Sequence, residues 1–211
     1  LASKESMSKQ SQISQLTQQI KYNEVCKKLA DQATQLVMGE GNLDADLVFI
    51  GEAPGKKEDE LGRPFVGASG KFLDEMLSSI NLKREDVYIT NIVKYRPPNN
   101  RDPLPQEKHE FRRYLDQQLA IIKPKLIVTL GRHSGMEFLP SLKISRDHGH
   151  AMRVSTESRL LSSELGDKDG KISILPLYHP AAALYNGSQR QTLLDDFSKI
   201  PQILELINEQ Q

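Results

Sequence analysis

The sequence predicts an α/β fold in which a mostly parallel sheet of four strands carries helices on both faces. Three observations lead there. Short apolar runs of β type alternate with stretches of helical periodicity. Most of those runs end on Gly, Pro or Asn turns, and 211 residues with 37% apolar content suffice for one sizeable core. Alternation of this kind implies right-handed crossovers and a parallel sheet covered on both sides.

In chain order, residues 1–12 are rich in Ser, Lys and Gln and are expected to be a disordered segment preceding a single domain, 13–211. Apolar residues recur at helical spacing over 13–37 (Leu16, Ile20, Val25, Leu29, Ala33, Leu36), predicting an N-terminal helix or helix pair. Strands are expected at 46–50, 87–91, 125–130 and 172–177, separated by helices at 70–80, 106–122 and 132–139. A last helix, 191–207, closes one side, and the polar stretch 155–171 reads as a surface loop or hairpin. No repeat and no metal-spaced Cys/His cluster interrupts this order.

Composition narrows the function classes. Basic and acidic residues balance at 28 each, which argues against a tail-driven nucleic-acid binder. The balance is uneven locally: Asn91 to His133 holds nine Lys/Arg against four acids, so a basic face on a neutral protein is expected. No apolar stretch reaches membrane length, no signal-peptide pattern is seen, and the lone Cys26 cannot form an internal disulfide. The expectation is a soluble enzyme of the cytoplasm, the prokaryotic cytosol and nucleoid, with no membrane association.

Four motifs fall at the carboxyl ends of the predicted strands: GEAPG at 51–55, PFVGASG at 64–70, NIVKYRPPNNRDP at 91–103 and YHPAAALYN at 178–186. That end of an open parallel sheet is where ligand crevices form, and amides at a helix start hold anions. Taken singly, each motif has a plain structural meaning: a turn, a core Phe, a strand-end Asn, a surface His. Together and in this order they resemble the uracil-DNA glycosylase superfamily, most closely its family 4, over about residues 36–200. The resemblance implies a three-layer α/β/α sandwich on a four-stranded sheet. It also implies hydrolysis of the N-glycosidic bond of deoxyuridine in single- or double-stranded DNA, after the base is flipped out, by an enzyme that can act as a monomer.

That chemistry needs donors around the departing uracil and a rigid, snug pocket. By the resemblance, Gly51, Glu52, Ala53, Pro54, Gly55, Phe65, Asn91 and His179 bind uracil. Phe65 stacks, Asn91 reads the O4/N3 edge with an amide that both donates and accepts, and His179 donates to O2, aimed by Pro180. Glu52, Asn91 and His179 are the catalytic candidates. Ala53 stands where the best-known glycosylase family has its water-directing Asp, leaving Glu52, with Asn91 as rival, for that task. Gly55 replaces an aromatic that blocks the thymine methyl there, so rejection of thymine comes from elsewhere or is looser.

For DNA, Lys94, Arg96 and Arg101 are expected on phosphates, amides of Gly67 to Gly70 with the Ser69 hydroxyl at the phosphate beside the flipped nucleotide, and Ala183, Leu184 and Tyr185, after Pro180, in the wedge that fills the gap. Family 4 carries a four-cysteine iron-sulfur cluster. The corresponding positions here are Glu24, Lys27, Tyr95 and Phe111, so no cluster and no other metal is expected, and Tyr95 and Phe111 are expected to pack together instead. His109, His133, His148 and His150 stay unassigned, and DHGH at 147–150 lacks a metal-site pattern. The alternatives are a non-catalytic DNA-binding module of the same fold and a glycosylase of broader deaminated-base specificity.

Overall fold

Residues 7–157 and 165–209 are described in a computed structural model, where one six-stranded sheet lies between two helical layers. Helix α1 (Lys9–Tyr22) starts at Ser8, whose hydroxyl accepts from the Ser11 amide, and buries Ile13, Leu16 and Ile20. Residues 9–12 are therefore helical rather than disordered, because the cap and the first apolar turn recruit them; residues 1–6 lie outside the described residues. Left-handed backbone at Glu24 and Cys26 breaks the helical pattern, so a single turn, α2 (Lys27–Ala30), follows.

The next elements are β1 (Glu40–Gly41), β2 (Leu47–Gly51), α3 (Lys56–Leu61), α4 (Ala68–Ser79), β3 (Tyr88–Asn91), α5 (Pro105–Ile122), β4 (Leu126–Leu130) and α6 (Arg132–Phe138). Then come α7 (Ile144–Asp147), β5 (Met152–Ser155), β6 (Lys171–Leu177), α8 (Pro180–Ala183), α9 (Gly187–Phe197) and α10 (Ile200–Glu209). Strand order is β1-β3-β2-β4-β6-β5. The inner four strands are parallel, as expected, while β1 and β5 add antiparallel edges, making six strands instead of four. Two residues bounded by Gly39 and Gly41, and a half-exposed MRVS run, are too short and too weakly alternating to announce strands. The polar stretch 155–171 connects the β5–β6 antiparallel pair, the hairpin alternative, although 158–164 lie outside the described residues.

A two-residue period sorts the strand side chains between the layers. Val48, Ile50, Ile127 and Ile174 meet α1, α2 and α5 on one face; Leu47, Phe49, Val128 and Leu175 meet α4, α9 and the start of α10 on the other. The helix expected over 191–207 is two helices, the first beginning earlier because the Asn186 side chain caps it. No helix among the described residues is long and apolar enough to cross a membrane. Parallel pairing brings the carboxyl ends of β2, β3, β4 and β6 to one edge, with Gly51 beside Asn91; GEAPG, NIVKYRPPNNRDP and YHPAAALYN leave the sheet there, whereas PFVGASG, expected at a strand end, joins α3 to α4.

Candidate active site

The four motifs enclose a cleft of about 340 Å³ lined by Glu52, Ala53, Pro54, Gly55, Phe65, Ser69, Asn91, Arg101 and His179, together with Glu58, Pro97, Asn100 and Ala181. That volume suits a nucleobase with part of its sugar. Gly51, expected at the base, does not line the cleft but packs beneath Asn91 and Phe65, where a Cβ would stand 2.4 Å from Asn91 Oδ1 and 2.5 Å from the Phe65 ring. Phe65 itself sits in left-handed backbone (φ 51), a costly conformation held by its neighbours. Gly70 admits the Phe65 carbonyl where any Cβ would clash, and the Arg84 guanidinium donates to the Pro64 and Phe65 carbonyls at 2.6 and 2.9 Å. Arg84 is in turn held by Glu40 and Asp74. Against the upward push of burial, Arg63 and Arg84 keep the Glu40 carboxyl below the usual range. Arg84 was invisible as a site residue because its role is to shape a turn nineteen positions away.

His179 faces the Phe65 ring, centroids 5.8 Å apart, at the start of α8. The Ala181 amide donates to His179 Nδ1 at 3.1 Å, so the ring proton resides on Nε2. Burial pushes the His179 pKa down to about 4, which keeps the imidazole neutral at physiological pH. Gly131 lets the β4–α6 turn approach His179, since a Cβ on it would come within 3.1 Å of the His179 Cβ.

Two buried oxygens in the cleft have no hydrogen-bond partner among the described residues, Asn91 Oδ1 and Glu52 Oε1. Leaving such atoms unpaired costs about 1–3 kcal/mol each, which marks them as groups kept for a ligand. Burial raises the Glu52 pKa, His133 opposes that rise, and Asp102 adds to it. His133 Nε2 lies 3.9 Å from Glu52 Oε1 and 3.2 Å from Asp102 Oδ2, with Arg132 beside it. These three ligand atoms fall within 4.8 Å of one another, a spacing a divalent ion tolerates. Lys108 and Arg132 also act on Glu52, and Asp102 is open to solvent, so the set reads as a polar chain ending on a carboxylate. Sequence reasoning left His133 unassigned because its link to Glu52 runs from the β4 turn to the β2 turn.

Two further polar groups complete the cleft. Glu58 Oε1 accepts the amides of Val66 and Gly67 at 2.9 and 2.8 Å, and a Cβ on Gly55 would meet Glu58 Oε2 at 2.8 Å. The Gly67 amide is thus spent on Glu58 rather than offered to a phosphate, while Ser69 and Gly70 keep their place at the start of α4.

Residues 38–204 match the uracil DNA glycosylase superfamily. The Type-4 uracil-DNA glycosylase of Sulfurisphaera tokodaii is 47% identical over 181 residues, covering 84% of this chain and 80% of that one. The chain belongs to family 4 of the uracil-DNA glycosylase superfamily. The Type-4 enzyme of Archaeoglobus fulgidus is 45% identical over 186 residues, 84% of this chain and 87% of the relative, and that of Saccharolobus solfataricus is 44% identical over 169 residues, 80% and 76%.

Within this family-4 member, several expected DNA contacts change place. Lys94 is wholly buried and cannot reach a phosphate, because the turn after β3 folds Ile92 to Tyr95 inward. Pro180 and Ala183, the two ends of α8, are buried too, Ala183 within the core cluster that holds α4 and α9, whereas Leu184 is exposed and Tyr185 is 94% exposed. Arg96 binds Asn100 and Arg101 forms a two-pronged pair with Glu107, so both lie at the rim of the cleft already tethered.

The iron-sulfur group implied by family 4 does not fit the residues present. Tyr95 and Phe111 meet edge to face at 5.9 Å inside the same apolar cluster as α1. The Cys26 thiol donates to the Glu107 carbonyl at 3.5 Å, and burial, with Glu110 beside it, raises its pKa far above the thiolate range. One protonated sulfur cannot replace four thiolates. The remaining histidines stand apart: His148 Nδ1 pairs with Asp196 at 2.6 Å, His109 and His150 are exposed, and DHGH supplies no three-ligand cluster among the described residues.

Proposed function

We propose that the protein flips deoxyuridine out of single- or double-stranded DNA and hydrolyses its N-glycosidic bond, releasing uracil and leaving an abasic site. One observation carries the reading: the unpaired Asn91 Oδ1 and the His179 imidazole, its proton on Nε2, line the same cleft as the Phe65 ring. An amide that offers both an acceptor and a donor matches N3–H and O4 of uracil. As the bond breaks, negative charge gathers on the base, and the neutral His179 stabilises it by donating from Nε2 to O2. Glu52, ionised and beside His133, orients the attacking water. No metal step is required of this arrangement.

Methyl exclusion falls to Glu58, whose Oε2 fills the space over Gly55. Leu184 and Tyr185, on the exposed loop after α8, supply the wedge, while Ser69, Arg96 and Arg101 meet phosphates once Asn100 and Glu107 give way. Acting alone on genomic DNA in a prokaryotic cytosol is the setting this reading implies. Labelled oligonucleotides bearing uracil, a thymine mismatch or hypoxanthine, cleaved with alkali after incubation, test it. Uracil alone should yield breaks in wild type, and Glu58→Ala should add thymine.

A further inference from the structure

Lys94 is the largest charged side chain hidden in the core, and nothing in the excision chemistry above employs it. It is fully buried yet forms no ion pair among the described residues. Its ammonium instead donates to three neutral oxygens: Thr90 Oγ1 at 2.6 Å, Gln118 Oε1 at 2.6 Å and the main-chain carbonyl of Asn91 at 2.8 Å. Each acceptor is itself anchored. The Thr90 hydroxyl donates to the Met38 carbonyl at 2.8 Å, and the Gln118 amide donates to the Met38 carbonyl and the Tyr88 hydroxyl at 2.9 Å each. The Lys94 carbonyl accepts the Val37 amide, closing the network onto the segment before β1. Desolvating a cation without a counter-ion is expensive, and an apolar residue of that length would fill the space at lower cost. What the ammonium supplies in exchange is two N–H bonds to the end of β3, the strand that delivers Asn91 to the cleft, and a third that ties that end to α5 through Gln118.

We propose that Lys94 is a positioning residue for excision, fastening the Asn91 main chain so that the Asn91 amide stands fixed when the flipped base arrives. This deepens the excision reading and rests on it. Three acceptors need three hydrogens, and only the ammonium has them; the neutral amine has two. Burial lowers the Lys94 pKa to about 7, so the clamp is complete below that pH and loses one bond above it. The groups facing Lys94 do not titrate in that window. Thr90 and Gln118 are neutral, and the Tyr88 phenol, one step away through Gln118, is pushed up to about 12 by burial.

The test is single-turnover excision of uracil from a deoxyuridine oligonucleotide between pH 5.5 and 9, with binding to abasic DNA measured at several salt concentrations. Lys94→Met should melt cooperatively and bind DNA with wild-type affinity and salt slope, yet excise about tenfold slower or more, the scale of a misplaced reacting group. It should also lack the fall in wild-type rate through about pH 7. A wild-type rate in Lys94→Met would overturn the proposal, as would a shallower salt slope, which would make Lys94 a phosphate contact after all. Should Lys94→Met fail to fold, the isosteric Thr90→Val decides. Losing one acceptor destabilises the ammonium and moves the alkaline fall to lower pH, and an unmoved midpoint refutes the clamp. A wild-type protein inert on uracil DNA would sink the excision reading instead. In that event the clamp is read from the Asn91 side-chain amide resonance, which should titrate near pH 7 in wild type and not in Lys94→Met.

Discussion

One turn, 91–95, serves two regions of opposite character. At its start Asn91 presents an unpaired oxygen to the cleft, beside the equally unpaired Glu52. At its end Tyr95 packs edge to face on Phe111 in a corner where polar groups are spoken for: Glu110 accepts the Cys26 amide at 2.7 Å and the Glu107 carbonyl accepts the thiol. The corner corresponds to the place where, by the resemblance, family 4 holds a cluster, and here it is closed by apolar burial. The cleft keeps two buried oxygens unpaired where a ligand is to be bound, and the corner next to it is satisfied. Activity and stability should therefore separate cleanly between the two regions.

The largest effect belongs to the corner. Phe111 is wholly buried, so Phe111→Ala should lose about 3–5 kcal/mol of unfolding free energy in a denaturant titration. A loss under about 1 kcal/mol would mean that packing is not what replaces a cluster there. In the cleft, Asn91→Ala and His179→Ala should each cost about 3 kcal/mol of transition-state stabilisation, roughly a hundredfold in rate. The Asn91→Ala melt should move little, since its Oδ1 makes no bond to lose. A variant that lost stability and activity together would blur the contrast.

Acidity sharpens it further. Because burial raises the Glu52 pKa, the carboxyl is protonated at pH values where an exposed Glu is ionised, and excision should fall as pH drops through a midpoint above the ordinary carboxylate range. Glu52→Gln removes that limb, and His133→Ala moves it upward, since His133 favours the charged form. His179, neutral down to about 4, should contribute no step near an ordinary histidine pKa. The smallest effect is at Cys26: Cys26→Ala should alter stability by about 1 kcal/mol or less and leave excision and metal content unchanged. Iron that leaves the protein with that thiol would contradict the apolar corner.

Much of this was legible in the residues. The four parallel strands followed from apolar runs, and the cleft from motifs at their carboxyl ends, since period and turn chemistry are local properties. What escaped depends on the tertiary path. Lys94 reads as a phosphate ligand until the turn after β3 carries it inward, and Ala183 reads as part of a wedge until α8 and α9 bury it. His133 and Arg84 reach Glu52 and Phe65 across elements distant in sequence, and Glu58 claims the Gly67 amide that seemed free for DNA. The two edge strands were missed because β1 is only a pair of residues among glycines and β5 a four-residue run whose burial barely alternates.

The central claim is that Asn91 and His179 share one cleft around an extruded uracil. Free base released from a single-deoxyuridine oligonucleotide, measured for wild type and Asn91→Ala alongside their melting curves, tests it most directly. The account predicts uracil release by wild type and about a hundredfold less from a variant that melts as wild type does. Equal release from both, or none from wild type, would contradict it.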